Sequence, residues 1–168
     1  FEELLSKRFN VEFMGQAHWY LATCINQLSN YDIELDQSRY CRLIVKKYLE
    51  TAGAKKVLHL HATPFVLDFV PTLEDCSVDK DATKQLEQEY NVDYASCVGS
   101  LIYLAMTRCD ITYAVNKLAK FSIQPGRNHF EAMLHVLRYL CNNSFIGIKF
   151  YSNAMDAPIT HMLIDEKI

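Results

Sequence analysis

Apolar positions recur with helical spacing through the stretch from Tyr94 to Tyr139. Leu101, Leu104, Ala105 and Arg108 share one such period. Ile111, Ala114, Val115, Leu118 and Ala119 share the next, and Met133, Leu134, Leu137 and Leu140 a third. Three amphipathic helices with short connections should pack on one another. Each has a start signal: Asp93, Asp110 and Asn128 can each offer a side-chain oxygen to free N–H groups of a first turn. Asn128 and Glu131 also stand at capping-box spacing, and Pro125-Gly126 should end the second helix and turn the chain.

The pattern before this stretch is mixed. Phe1, Leu4, Leu5 and Phe9 line one side of a short helix, Val11 and Phe13 suggest a strand, and Met14-Gly15 a turn. Trp19 to Ile25 is apolar enough for a buried strand. Tyr31, Ile33 and Leu35 alternate with Asp32 and Glu34, the period of a half-exposed strand, and Leu28-Ser29-Asn30 should close a hairpin between the two. A helix follows from Asp36 to about Ala52, with Gly53 as its stop. Tyr40, Ile44 and Tyr48 share one face, Cys41, Val45 and Leu49 the adjoining stripe, and Arg39, Arg42, Lys46 and Lys47 the other side. Residues 71–92 are polar without a clear period and read as an exposed acidic loop, long for a compact domain. Residues 146–151 should form a strand. The fold class is therefore α+β: short N-terminal strands, a mainly helical lobe and a final strand. The divisions expected are 1–36, 37–150 and a linker or tail at 151–168.

Four blocks carry a resemblance. Val98-Gly99-Ser100-Leu101-Ile102-Tyr103-Leu104 is followed by Thr107-Arg108-x-Asp110-Ile111-x-Tyr113-Ala114-Val115. His129-x-x-Ala132 and Leu137-Arg138-Tyr139-Leu140 come next. In order and spacing these resemble the reverse transcriptase of copia-type LTR retrotransposons. Cys109 stands where the family has proline, and Cys141-Asn142-Asn143 where it has Lys-Gly-Thr. Asp36-Gln37-x-x-Tyr40 and Thr63-Pro64 match further positions. Phe9 to Ala22 is similar to the family segment that ends in a Leu-Gly hairpin, the primer grip.

The resemblance implies the C-terminal part of such an enzyme: the end of the palm (1–36), the thumb and connection (37–150), and a tail towards an RNase H domain. Its primer-grip positions are Tyr20, Leu21 and Ala22. Ala22 adds a methyl where glycine would let a backbone approach closely. The implied partners are an RNA or DNA primer–template and the remaining palm, fingers and RNase H portions of the same polyprotein. Thumb helices lie along the nucleic-acid backbone, where Lys and Arg neutralise phosphates without reading sequence. Arg39, Arg42, Lys46 and Lys47 are the candidates for that contact. Gly99, Ser100, Arg108, Asp110, His129, Arg138 and Tyr139 are motif positions with structural roles. Arg108 and Asp110 suit an ion pair or cap, and His129 a packing or hydrogen-bonding place at a helix start.

The chemistry of polymerisation is not carried by these residues. The family holds two Mg²⁺ with adjacent aspartates, and no Asp-Asp pair occurs in the chain. Tyr90-Asn91-Val92-Asp93 has a single carboxylate at a helix start, and Glu74-Asp75 reads as solvated charge. The expected chain is thus catalytically incomplete, with no cofactor of its own. His59-x-His61 could seed a metal site only with further ligands. Half of the 168 residues are apolar, enough for a sizeable core, and the net charge is −3. Six basic residues between Arg39 and Lys56 nonetheless face an acidic stretch after Pro71. The six cysteines form no CxxC pattern and suit reduced thiols in an intracellular protein. No apolar run is long enough to span a membrane. The chain starts at Phe1 with a helix under way, and is expected to be a piece of something longer. The alternative function is a non-catalytic helical interaction module left by a retroelement.

Overall fold

A computed structural model describes residues 2–12, 15–49, 61–65 and 71–153. The chain is α+β. A short helix α1 (Glu2–Ser6) precedes strands β1 (Trp19–Tyr20), β2 (Thr23–Gln27) and β3 (Ile33–Asp36). Helices α2 (Ser38–Leu49), α3 (Lys80–Tyr90), α4 (Tyr94–Leu104), α5 (Thr112–Ala119) and α6 (Arg127–Asn142) follow, and strand β4 (Ile148–Phe150) closes the order. The four strands form one antiparallel sheet in the order β1-β2-β3-β4. Because β3 pairs with both β2 and β4, the two ends of the described chain meet beside the start of α2.

The helical periods hold. Leu101, Leu104, Ile111, Val115, Leu118, Met133, Leu137 and Leu140 are all buried in one core, joined by Cys41, Ile44, Tyr48 and Leu49 of α2. Helix α2 packs on α4 and α6, and α5 on α4 and α6. Burying this apolar set is the main favourable term in forming the lobe. Asp93 caps α4 as its position suggests, accepting from Ser96 N–H at 2.8 Å.

Other expectations fail for physical reasons. Trp19 to Ile25 is not a buried strand. It is a hairpin folded at Leu21-Ala22, with Trp19, Tyr20 and Leu21 exposed. Residues 71–92 are not a loop throughout, since residues 80–90 form α3, started by Asp79 accepting from Ala82 N–H at 2.8 Å. Asn91 stops it in the left-handed conformation at φ 50°. Asp110 does not cap α5; it lies in a 3-10 turn (Cys109–Ile111) and its carboxylate is used elsewhere. Asn128 does not cap α6 either, because that helix begins one residue earlier and its N-cap is Gly126. Helix α5 ends at Ala119, well before Pro125. Val11 is in no strand, while Phe13, the end of the α2 pattern at Gly53, His59 and the tail from 154 lie outside the described residues.

Candidate nucleic-acid interface

The hairpin that matches the primer-grip positions is tight. Tyr20 pairs with Thr23, leaving Leu21 and Ala22 as a two-residue turn. Both have positive φ, 46° and 61°, the pattern of a type I′ turn, which favours Asn-Gly because side chains are strained there. The Tyr103 hydroxyl donates to the Leu21 carbonyl and so ties the tip to α4. The Tyr103 ring meets Tyr40 of α2 edge-on at 5.3 Å. Hairpin, α2 and α4 are thus one assembly.

Helix α2 presents Arg39, Arg42, Lys46 and Lys47 to solvent. Its buried side holds Cys41, Ile44, Tyr48 and Leu49. The 3.6-residue period separates the two sides. Arg39 lies over the Trp19 ring at 5.8 Å, and Arg42 over the Phe145 ring at 5.2 Å. Lys47 donates to the Tyr48 hydroxyl at 3.0 Å, which raises its pKa. Among the described residues Arg39, Arg42 and Lys46 form no ion pair, whereas Arg108, Arg127, Lys84 and Lys149 do. Three cations on one exposed face can meet a line of phosphates.

Three of the motif positions, Arg108, Asp110 and Tyr139, gather into a buried polar cluster. Arg108 is 1% exposed and makes a two-pronged pair with Asp110, Nε to Oδ1 at 2.9 Å and Nη2 to Oδ2 at 2.7 Å. Its remaining nitrogen donates to the Asn143 carbonyl beyond α6. The Tyr139 hydroxyl donates to Asp110 at 2.7 Å, and the Thr107 hydroxyl to Gln37 at 2.8 Å. Burial pushes the Asp110 carboxyl up, but Arg108 and Tyr139 outweigh it and hold it below its ordinary value. Burial and the Asp110 carboxylate push Tyr139 up to about 12. The cluster joins the start of α2, the end of α4 and the end of α6, so it fixes the helix on which the exposed cations sit.

His129 is fully buried and accepts from the Gly126 N–H through Nδ1 at 3.0 Å, so its ring starts α6. Its Nε2 has no hydrogen-bond partner among the described residues, and burial lowers its pKa. Asn128 instead reaches Asp75, and Glu131 accepts from the Tyr90 hydroxyl at 2.6 Å. Gly99 is exposed on α4, where an added Cβ would meet nothing within 4 Å. Ser100 donates back to the Ser96 carbonyl at 2.9 Å and lies 3.3 Å from the Tyr48 hydroxyl. Arg138 is half-buried on α6. The structure thus brings Arg108, Asp110 and Tyr139 together and leaves Gly99, His129 and Arg138 apart from them.

Other chemistry finds little support in the donor sets. Among the described residues no three His, Cys, Asp or Glu side chains converge as metal ligands. His61 stacks on His135 at 3.7 Å, and His135 Nε2 lies 3.0 Å from the Thr63 carbonyl. A cleft of about 260 Å³ on the sheet is lined by His18, Cys24, Ile25, Asn26, Glu34 and Asp36; its two carboxylates disfavour an anion. Burial raises the Cys41 thiol to about 11 and raises that of Cys97 as well, which suits inert thiols. No helix of the described residues is long and apolar enough to cross a membrane. Sequence analysis missed Trp19 and Phe145 as parts of this surface. An exposed aromatic has no periodic signal, and only the fold sets these two against α2.

The chain resembles curated retroelement proteins over most of its length. It is 33% identical over 147 residues to the retrovirus-related Pol polyprotein from transposon RE2 of Arabidopsis thaliana, which covers 87% of this chain and 9% of that one. That relative is a Pol polyprotein of a copia-type retrotransposon, and the likeness supports a fragment of such a polyprotein. The Pol polyprotein from transposon RE1 of the same plant is 33% identical over 145 residues, covering 86% of this chain and 9% of the relative. That from transposon TNT 1-94 of Nicotiana tabacum is 29% identical over 138 residues, 81% of this chain and 10% of the relative. The chain therefore spans about a tenth of the length of these Pol relatives. No family model and no solved structure matches it.

Proposed function

We propose that this copia-type Pol segment holds a primer–template duplex for a retrotransposon reverse transcriptase, as the end of the palm and the thumb. The observation that carries the proposal is the exposed cationic face of α2, where Arg39, Arg42 and Lys46 form no ion pair among the described residues. The hairpin at Tyr20, Leu21 and Ala22 would approach the primer end from the neighbouring surface, since Tyr103 ties it to α4. The buried Arg108–Asp110–Tyr139 cluster positions these parts without touching the nucleic acid. Nucleotide addition and its Mg²⁺ would belong to palm and fingers outside this chain, and an RNase H portion of the polyprotein would be a further partner. The setting would be inside the cell, in a cytoplasmic particle or the nucleus.

The test is binding of a primer–template duplex by the whole chain, with and without Arg42→Glu and Lys46→Glu together. The double variant should lose most of the affinity while keeping its thermal transition. Unchanged affinity would contradict the proposal. A second reading, a helical module that binds protein, draws on Ile102 of α4 and Met106 in the turn that follows it, 47% and 70% exposed. It predicts partner binding that the charge reversal leaves intact.

A further inference from the structure

The cationic face of α2 is edged by aromatic rings as well as charge. Trp19 comes from β1 and Phe145 from the turn between α6 and β4. They are far apart in sequence and are brought to the same helix because β3 pairs with β2 on one side and β4 on the other. Trp19 is 49% exposed and Phe145 is 72% exposed. The guanidinium of Arg39 lies over the first ring and that of Arg42 over the second, at 5.8 and 5.2 Å. Arg39 and Arg42 are three residues apart, so the two ring–guanidinium pairs sit about one helical turn from each other. Lys46 continues the same side one turn further on. Asp36, the acid before α2, is engaged by the backbone N–H of Ser38.

Contact with a duplex backbone requires cations alone, since the base faces are stacked inside and the phosphates and sugars line the outside. Large exposed rings beside those cations suit a different ligand. Unpaired bases have free π-faces, and proteins that hold single strands combine a cationic track with aromatic platforms. The planar guanidinium faces can extend such a platform. We propose that Trp19–Arg39 and Arg42–Phe145 form a two-step stacking platform for unpaired bases, so that this face takes single-stranded nucleic acid. The inference rests on the reading that α2 meets nucleic acid and narrows it to the unpaired segment beside the duplex. Lys46 would then take a phosphate of that strand.

The experiment uses the whole chain and two labelled probes, an oligothymidylate of about 15 nucleotides and a duplex of the same length, a span within or near one binding module's reach. Trp19 is the sole tryptophan, so its fluorescence reports on the platform directly, without any substitution. The oligothymidylate should bind about tenfold more tightly than the duplex and quench Trp19 on binding. Trp19→Ala and Phe145→Ala should each weaken oligothymidylate binding about tenfold, the loss of roughly one stacked base, and weaken duplex binding less. Trp19→Phe should restore most of the loss. Equal affinity for both probes, or an unquenched Trp19 in a saturated complex, would overturn the platform and leave duplex holding intact. Failure to bind either probe would overturn both.

Discussion

Ala22 sits at φ 61° in a turn whose two residues both lie in the left-handed region. An L side chain there costs about 1–2 kcal/mol, so Ala22→Gly should stabilise the chain by about 1 kcal/mol in urea unfolding. The buried pair shows the opposite sensitivity. Asp110→Ala leaves Arg108 charged and buried, which should cost about 3–5 kcal/mol, read as a lower urea midpoint. His129 makes stability depend on pH. Its folded pKa lies below the ordinary 6.5, so the unfolded chain binds more protons than the folded one as pH falls. The stability is complete above about pH 6.5 and is lost as pH falls towards the folded pKa. A His129→Asn variant, which keeps an acceptor for Gly126 N–H, should lose part of that slope in unfolding measured from pH 7 to 5. The residue-level roles were only partly legible. Arg108 with Asp110 at a spacing of two suggested an ion pair, but a histidine ring as an α6 cap lies outside the usual Asn, Asp, Ser and Thr signal.

At the scale of elements, the core helices were legible because each buries one stripe at a 3.6-residue period, as Leu101, Val115 and Leu137 show. Helix α3 escaped because its sequence, KDATKQLEQEY, buries only Thr83 and Tyr90. Its signals were of another kind: strong helix formers such as Ala82, Lys84, Gln85, Leu86 and Glu87, a cap at Asp79 and a left-handed stop at Asn91. The hairpin escaped the hydrophobic pattern because Leu21-Ala22 lacks the glycine or asparagine that marks such a turn; only the resemblance to the primer-grip segment pointed to it. The joint between the 3-10 turn at Leu73–Asp75 and the start of α6 could not be read at all. A Cβ on Gly126 would lie 1.8 Å from the Asp75 carbonyl oxygen, a contact between segments distant in sequence. Gly126→Ala must push the two apart and should cost about 1–3 kcal/mol. Hydrogen exchange should show faster opening of 73–76 and the first turn of α6, with α2 and α4 unaffected.

At the scale of the whole molecule, the hairpin is tied to the helical lobe through Tyr103 of α4 and through Arg39 of α2 over Trp19. The core fixes one side of α2, and the other carries the charge. The net charge of −3 conceals this: Glu89 and Asp110 are paired with Arg127 and Arg108, while Arg39, Arg42 and Lys46 form no ion pair among the described residues. The four sequence blocks pointed to the retrotransposon ancestry that the Pol relatives bear out, and the basic helix was legible beside them. The aromatic edge was not, because it depends on strand pairing between the two ends of the described chain. The most direct measurement is the affinity of the whole chain for a primer–template duplex as a function of salt. Three phosphate contacts predict a log–log slope of about −2.7, near −0.9 for each phosphate neutralised. Binding that does not change with salt, or no binding at low salt, would contradict the account.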